Sequence, residues 1–393
     1  MSATTATTMP TPIPVRPAFR GELEGQRPRA IGALGGDAWL ILAVLALLSL
    51  GVVMVFNVSY FYGQEHFGDP FYFFRKHLVS LGLGLCACFA MSRLSSEQYR
   101  AIAYPLLGFV LVALVLVLVP GLGVMRSGAR RWFQLGPLSI QPSEVAKFAA
   151  VLFLARSLSK KGARVREFKM GVVPHVMVVG LMAGLLLLEP DFGTCVLATS
   201  ILIFMLFVGG VRLAHLGVLA SGVVPLAAYE VFHAGYRMKR IFAFMNPDQD
   251  PLGIGHQLRQ SFIAFGSGGL WGVGLGESRQ KLFYLPAAHT DFIFSVIGEE
   301  LGLLGVLVVL SLFGVVAWRG FRAAYRHPDE FASLLAFGTT LLLVLQGAIN
   351  AAVVLGCLPT KGLALPFISY GGSAMITALA EAGVLLALAR EAG

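Results

Sequence analysis

Long apolar runs separated by short polar connections recur from residue 38 to residue 389. A helix needs about 20 apolar residues to cross a hydrocarbon layer roughly 30 Å thick. Several runs reach that length, and lipid admits only spanning elements that satisfy their own backbone groups. The pattern predicts an all-α polytopic membrane protein of about ten transmembrane helices. They fall near 38–57, 77–94, 102–121, 142–158, 171–188, 192–210, 213–233, 292–317, 332–356 and 370–389. The second and fourth are short or carry charge. One long extracytoplasmic loop, about 234–290, is expected between spans seven and eight. Within it, Leu258, Phe262 and Phe265 recur at helical spacing, so 252–276 should open with a short interfacial helix. The glycines from Gly266 to Gly276 then predict tight turns and close backbone approach.

Residues 1–37 are rich in Thr, Pro and Arg and have no apolar core. They are expected to form a disordered cytoplasmic tail rather than a cleaved signal, leaving 38–393 as one membrane domain. Composition agrees: 56% of the chain is apolar and 13% charged, against about 25% charged in soluble domains. The net charge of +9 is read as topology, not as affinity for nucleic acid. Cationic residues, above all the run from Arg156 to Lys169, favour one side of the expected spans and put both termini in the cytoplasm. Cys86, Cys88, Cys195 and Cys357 show neither metal spacing nor a disulfide framework. No convincing internal repeat is present, which weighs against transporters built from duplicated halves.

Four clusters can carry chemistry. His289-Thr290-Asp291 opens span eight near the water–lipid boundary. Its acid is either a cap at the positive end of a helix or a base acting on a substrate, and the two roles are compatible. Gly128-Ala-Arg130-Arg131-Trp132 lies between spans three and four. It either anchors in the headgroup layer or holds phosphate oxygens. Glu144 and Lys147 share one face at the start of span four. They form either a structural ion pair or a pair lining a polar cavity. Leu358-Pro-Thr-Lys361-Gly through Pro366-Phe-Ile-Ser-Tyr-Gly-Gly-Ser373 carries too many prolines and glycines for a regular helix. It should be a broken or re-entrant segment, tolerated only where protein or a wet cavity surrounds it. Among other polar residues, Glu189-Pro190-Asp191 reads as a short outer turn. Gln346 and Asn350 read as interhelical hydrogen-bonders. Glu299, Glu300 and Glu381 require partners that spacing does not name.

The stretches GARRWF, QPSEVAKF, the run from SFIAFGSGG to HTDFIFSVIGEELG, and LPTKGLALPFISYGGS, in that order, closely resemble the SEDS family (shape, elongation, division and sporulation). The likeness is closest to its division member and covers everything but the N-terminal tail. The resemblance implies a peptidoglycan glycosyltransferase of the cytoplasmic (inner) membrane and division septum, polymerising lipid II on the outer face. It implies Asp291 as the catalytic residue. It implies Arg131, Trp132, Glu144, Lys147, His289 and Lys361 as substrate-binding residues. Partners implied are lipid II, membrane lipid, a class B penicillin-binding transpeptidase (FtsI), and FtsQ, FtsL and FtsB. Nucleic acid is not among them. One departure is Ala287, where the family commonly has an acid two residues before the histidine. No cofactor is assigned with certainty. A divalent cation, Mg2+ or Mn2+, could share the charge on the substrate, but no carboxylate cage is legible. The alternatives are a lipid II flippase, a recruiting scaffold, or the elongation-type polymerase.

Overall fold

The computed structural model describes residues 37–393 except 127, 137, 234, 247–253 and 287. The expected tail, and Ala287, lie outside the described residues. Asp37 does not belong to the tail: it caps the first helix by accepting from Leu40 N at 3.3 Å and pairs with Arg319.

Thirteen helices and three strands make up the described chain. They are α1 (Ala38–Phe67), α2 (Tyr72–Arg93), α3 (Ser96–Leu118), β1 (Val124–Arg126), β2 (Ala129–Leu135), β3 (Leu138–Ile140) and α4 (Pro142–Lys161). After a 3₁₀ turn (Gly162–Arg166) come α5 (Phe168–Gly171), α6 (Val173–Leu188), α7 (Phe192–Val208), α8 (Leu213–His233), α9 (Gly235–Met245) and α10 (Ile254–Gly268). A π turn (Gln280–Tyr284) precedes α11 (Ile293–Arg326), α12 (Glu330–Val354) and α13 (Gly372–Ala392). Each expected span contains a helix, and eight segments are long and apolar enough to cross a membrane, with α5 and α6 counted together. The shorter apolar α7 and the charged α4 fall outside that set.

Burial explains why α4 can carry charge. It is enclosed along nearly its whole length, from Pro142 to Leu158, by α3, α7 and α12. Its polar side chains therefore meet protein rather than lipid. Helix α8 is the opposite case. Leu219 is its only buried residue among those described, while Leu213, Val218, Val224, Leu226 and Phe232 lie exposed, as a lipid-facing surface requires.

Two features were not legible as secondary structure. The segment holding Arg130-Arg131-Trp132 is a strand in an antiparallel sheet of order β1-β2-β3, with Val124 opposite Trp132 and Phe133 opposite Ile140. β1 and β3 have three residues each, the seven of β2 (Ala-Arg-Arg-Trp-Phe-Gln-Leu) do not alternate apolar with polar, and the turns use Gly128 and Gly136 at φ 78° and 59°. The loop after α8 holds α9 as well as the expected α10. The latter packs along α11, burying Leu258, Ser261 and Ala264.

Helix α11 is broken at Gly302 (φ 65°, ψ −162°). The segment after α10 repairs the break. Val273 N–H donates to Glu299 O at 3.0 Å and Gly274 N–H to Glu300 O at 3.1 Å. In return Leu303 N–H donates to Gly269 O at 2.9 Å and Leu304 N–H to Leu270 O at 3.4 Å. The Glu299 and Glu300 side chains, without named partners in the sequence, hold the same segment. Glu299 accepts from Arg279 N at 3.1 Å and from the Ser278 hydroxyl. Glu300 accepts from Lys281 Nζ at 3.3 Å and from Asn57 of α1. A Cβ at Gly272 would stand 2.1 Å from Glu300 O, and its φ is +81°. Gly272→Ala is therefore expected to destabilise the protein by about 2–4 kcal/mol, read as a lowered Tm in detergent. An unchanged Tm would show that the approach is not needed.

Candidate active site

The loop between α12 and α13 is non-helical, as its prolines and glycines require, and it folds back against the start of α11. Three successive carbonyls there are each held by it or by α12. Tyr370 N–H donates to His289 O at 3.0 Å. The Ser369 hydroxyl donates to Thr290 O at 2.6 Å, and Asn350 Nδ2 to Asp291 O at 2.8 Å. Asn350 also donates to Leu363 O at 2.7 Å, so one amide of α12 clamps both strands of backbone. Its expected hydrogen-bonding role holds, but its partners are loop carbonyls rather than another helix. The Asp291 side chain lies over Gly362: a Cβ built there would be 3.0 Å from Oδ2. Glycine gives the carboxylate room.

Asp291 remains partly accessible while protein packs closely around it. Burial raises its pKa to about 6, Arg240 opposes that rise, Asp191 adds to it, and Arg131 opposes it. Arg240 comes from α9 and is positioned by donating to Thr360 O at 3.1 Å. His289, beside Asp291, sits among the rings of Tyr62, Phe73 and Tyr370, with centroids 5.2, 5.2 and 5.8 Å away. Burial lowers its pKa to about 4, so it is neutral at pH 7. Lys361 lies over Phe192 with Nζ 5.2 Å from the ring centroid, and burial lowers its pKa.

Glu189-Pro190-Asp191 is more than an outer turn. Arg131 donates from Nε to Glu189 O at 2.7 Å and from Nη2 to Pro190 O, so this guanidinium braces the α6–α7 connection. Asp191 accepts from Thr194 N, the Ser143 hydroxyl and Gln141 Nε2, each at 3.2 Å. The turn thereby ties α7 to the start of α4. Glu189 is fully buried, and neither carboxyl oxygen has a hydrogen-bond partner among the described residues. Burial, helped by Asp191 and opposed by Arg131, raises its pKa to about 8, so it is mainly a neutral acid at pH 7.

Trp132 is half-buried on β2. Glu144 and Lys147 adopt the ion-pair geometry. Lys147 is buried, donating to Glu144 Oε2 at 2.8 Å and to Gln346 Oε1 at 2.6 Å. Glu381 of α13 is buried on the same side of the bundle, with no ion pair to Lys147 among the described residues. Gln346 extends the network to the broken loop by donating to Ala364 O at 2.9 Å. Thus Asp291, His289, Arg131 and the broken loop come together around one mouth of the bundle. Among the described residues, Lys147 is linked to that loop through Gln346, and Glu144 is touched by Thr377 of α13. Sequence reasoning missed Arg240 and undervalued Glu189 and Asp191. Two acids around a proline between apolar runs were a usable signal for the turn. Arg240 gave none within Arg237-Met-Lys-Arg240.

Fold and site define a polytopic membrane protein with a titratable carboxylate among cations where its helices meet a broken loop. The chain belongs to the family of FtsW, RodA and SpoVE, whose model, described as "Cell cycle protein", matches residues 38–393. It is 46% identical to the probable peptidoglycan glycosyltransferase FtsW of Trichlorobacter lovleyi, over 89% of this chain and 92% of that one. It is 42% identical to the stage V sporulation protein E of Bacillus subtilis, over 90% and 97%. Among solved structures, it matches a chain described under structural coordination of polymerization and crosslinking by a peptidoglycan synthase complex. The TM-score is 0.75 at 33% identity, covering 91% of this chain and 99% of that one. Thermus thermophilus RodA matches at TM-score 0.67 and 33% identity, covering 91% and 98%.

The opposing effects of burial and cations set a test of the electrostatics. Arg240→Gln is expected to move the Asp291 titration midpoint upward from about 6. The readout is an infrared carboxyl titration, with the band assigned by its loss in Asp291→Asn. A midpoint that stays put or falls would remove Arg240 from the site.

Proposed function

We infer that this chain is a peptidoglycan glycosyltransferase that polymerises lipid II, with Asp291 as its general base. The observation that carries the reading is the partly accessible Asp291 carboxyl, near physiological titration and held over Gly362 by a backbone pinned on three sides. Its family and its relatives' names support the chemistry. In the reaction, the acceptor's GlcNAc 4-hydroxyl attacks C1 of the donor's MurNAc. A β-1,4 bond forms, the bond to the lipid diphosphate breaks, and configuration inverts. Asp291 takes the hydroxyl proton, and a pKa of about 6 leaves it mostly ionised, yet more basic than an ordinary carboxylate, at pH 7. Arg240 and Lys361 are the candidate cations for the departing diphosphate, with Arg131 holding the adjoining turn. His289 and Trp132 offer ring surfaces to the sugars. Glu144 and Lys147 support the broken loop through Gln346.

A resident metal does not fit the donor set. Among the described residues no group of three His, Cys, Asp or Glu is placed to hold one, and Asp191 already accepts three hydrogen bonds. Mg2+ or Mn2+ is proposed only as a counter-ion brought by the substrate's diphosphate.

The proposed setting is the inner membrane at the division septum, with both termini cytoplasmic and Asp291 on the outer face. The solved neighbour's description couples polymerisation with crosslinking in one complex. That supports a class B penicillin-binding transpeptidase (FtsI) as partner, and FtsQ, FtsL and FtsB as further members of the assembly.

Purified protein given lipid II, with and without the transpeptidase, should produce glycan polymer. A flippase would yield none. Asp291→Asn should lower the rate about 10²–10⁴-fold while the Tm is kept. Near-normal product from that variant would defeat the assignment. The base must be ionised, so kcat/KM should fall with unit slope as pH drops below about 6 and level off above it.

A further inference from the structure

The far end of α4 carries a cavity of its own. Helix α4 starts beside Asp191 and rises about 1.5 Å per residue over 20 residues, so its end lies about 30 Å away, one hydrocarbon thickness. There a pocket of about 380 Å³ is lined by Tyr104 of α3, Ser157, Lys160 and Lys161 of α4, Arg164 of the 3₁₀ turn and Met170 of α5. The segment from Arg156 to Lys169 contains six cations and one carboxylate, Glu167. Among the described residues no carboxylate pairs with Lys160, Lys161 or Arg164. Lys161 is fixed by donating to Met170 O at 2.8 Å. Arg156 stacks on the Tyr104 ring at the pocket's edge, 4.3 Å from its centroid, and donates to Arg100 O.

The walls indicate where the anion comes from. Tyr104 and Met170 are exposed apolar side chains at the pocket, and Phe168 stands exposed on the same short helix. A site for free phosphate has no need of exposed apolar walls, whereas a phospholipid brings acyl and glycerol groups to cover them. We propose that this pocket binds the phosphodiester headgroup of an anionic phospholipid in the leaflet opposite Asp291. Lys160, Lys161 and Arg164 meet the phosphate oxygens, Ser157 offers a hydroxyl, and Tyr104 and Met170 cover the glycerol end. The site is independent of Asp291, and its occupancy is readable without turnover.

The test uses the full chain in detergent and native mass spectrometry, titrated with phosphatidylglycerol, phosphatidylcholine or inorganic phosphate. Phosphatidylglycerol should be retained and phosphatidylcholine should not. The double variant Lys160→Gln/Arg164→Gln should weaken phosphatidylglycerol binding roughly tenfold or more. Arg166→Gln/Lys169→Gln removes the same charge from the same segment but outside the pocket, and should change binding less than about twofold. Equal loss in both variants would mean a diffuse surface field and would overturn the proposal. Displacement of phosphatidylglycerol by equimolar phosphate would make this a free-anion site and overturn it as well. If both double variants keep the parental Tm, unfolding cannot account for either loss.

Discussion

The site depends on three carbonyls. His289, Thr290 and Asp291 enter α11 through backbone that no regular helix holds, and each oxygen is taken by Tyr370, Ser369 or Asn350. Without those partners the entry to α11 would carry unsatisfied acceptors beside a low-dielectric wall, which costs several kcal/mol per group. With them, the backbone is fixed where the Asp291 side chain lies over Gly362. The broken loop is thus less a connection between two spans than the mould in which the carboxylate is set.

The same principle recurs lower in α11. Its break at Gly302 would expose backbone groups, and the segment following α10 exchanges hydrogen bonds in both directions to cover them. Glycines at 268 and 272 permit that approach, since a Cβ at either would meet backbone oxygen at about 2 Å. Irregular backbone is confined to places where protein supplies the missing partners. That confinement lets a membrane protein keep a shaped site instead of a plain bundle of rods.

Electrostatics around Asp291 are a balance rather than a single large effect. Burial and Asp191 favour the neutral acid, while Arg240 and Arg131 favour the carboxylate. The outcome near 6 keeps the group ionised at pH 7 with more basicity than a solvated aspartate. Arg131 also spends its donors on the Glu189-Pro190 carbonyls, so one guanidinium serves both structure and field. Lys147 shows the other use of buried charge. Paired with Glu144 and bonded to Gln346, it joins α4 to α12 inside the bundle.

Hydropathy by itself determined the helical segments, because burial in lipid demands long apolar runs whatever the tertiary arrangement. Prolines and glycines from Leu358 to Ser373 likewise declared a broken segment, since their backbone cannot continue a helix. Residue patterns also exposed Asp291, an ionisable group at the head of an apolar run. Tertiary structure alone decided that Arg240 stands near Asp291, because nothing within the Arg237–Arg240 run separates one cation from its neighbours. It alone turned Glu189-Pro190-Asp191 from a loop tip into a brace, through Arg131, 58 residues before Glu189 in the chain. It alone folded the segment around Arg131 into strands, whose short pairs become visible only as registers between backbones. Spacing reports what lies on one helix face; charge proximity and carbonyl pairing are long-range facts, fixed only when distant segments pack.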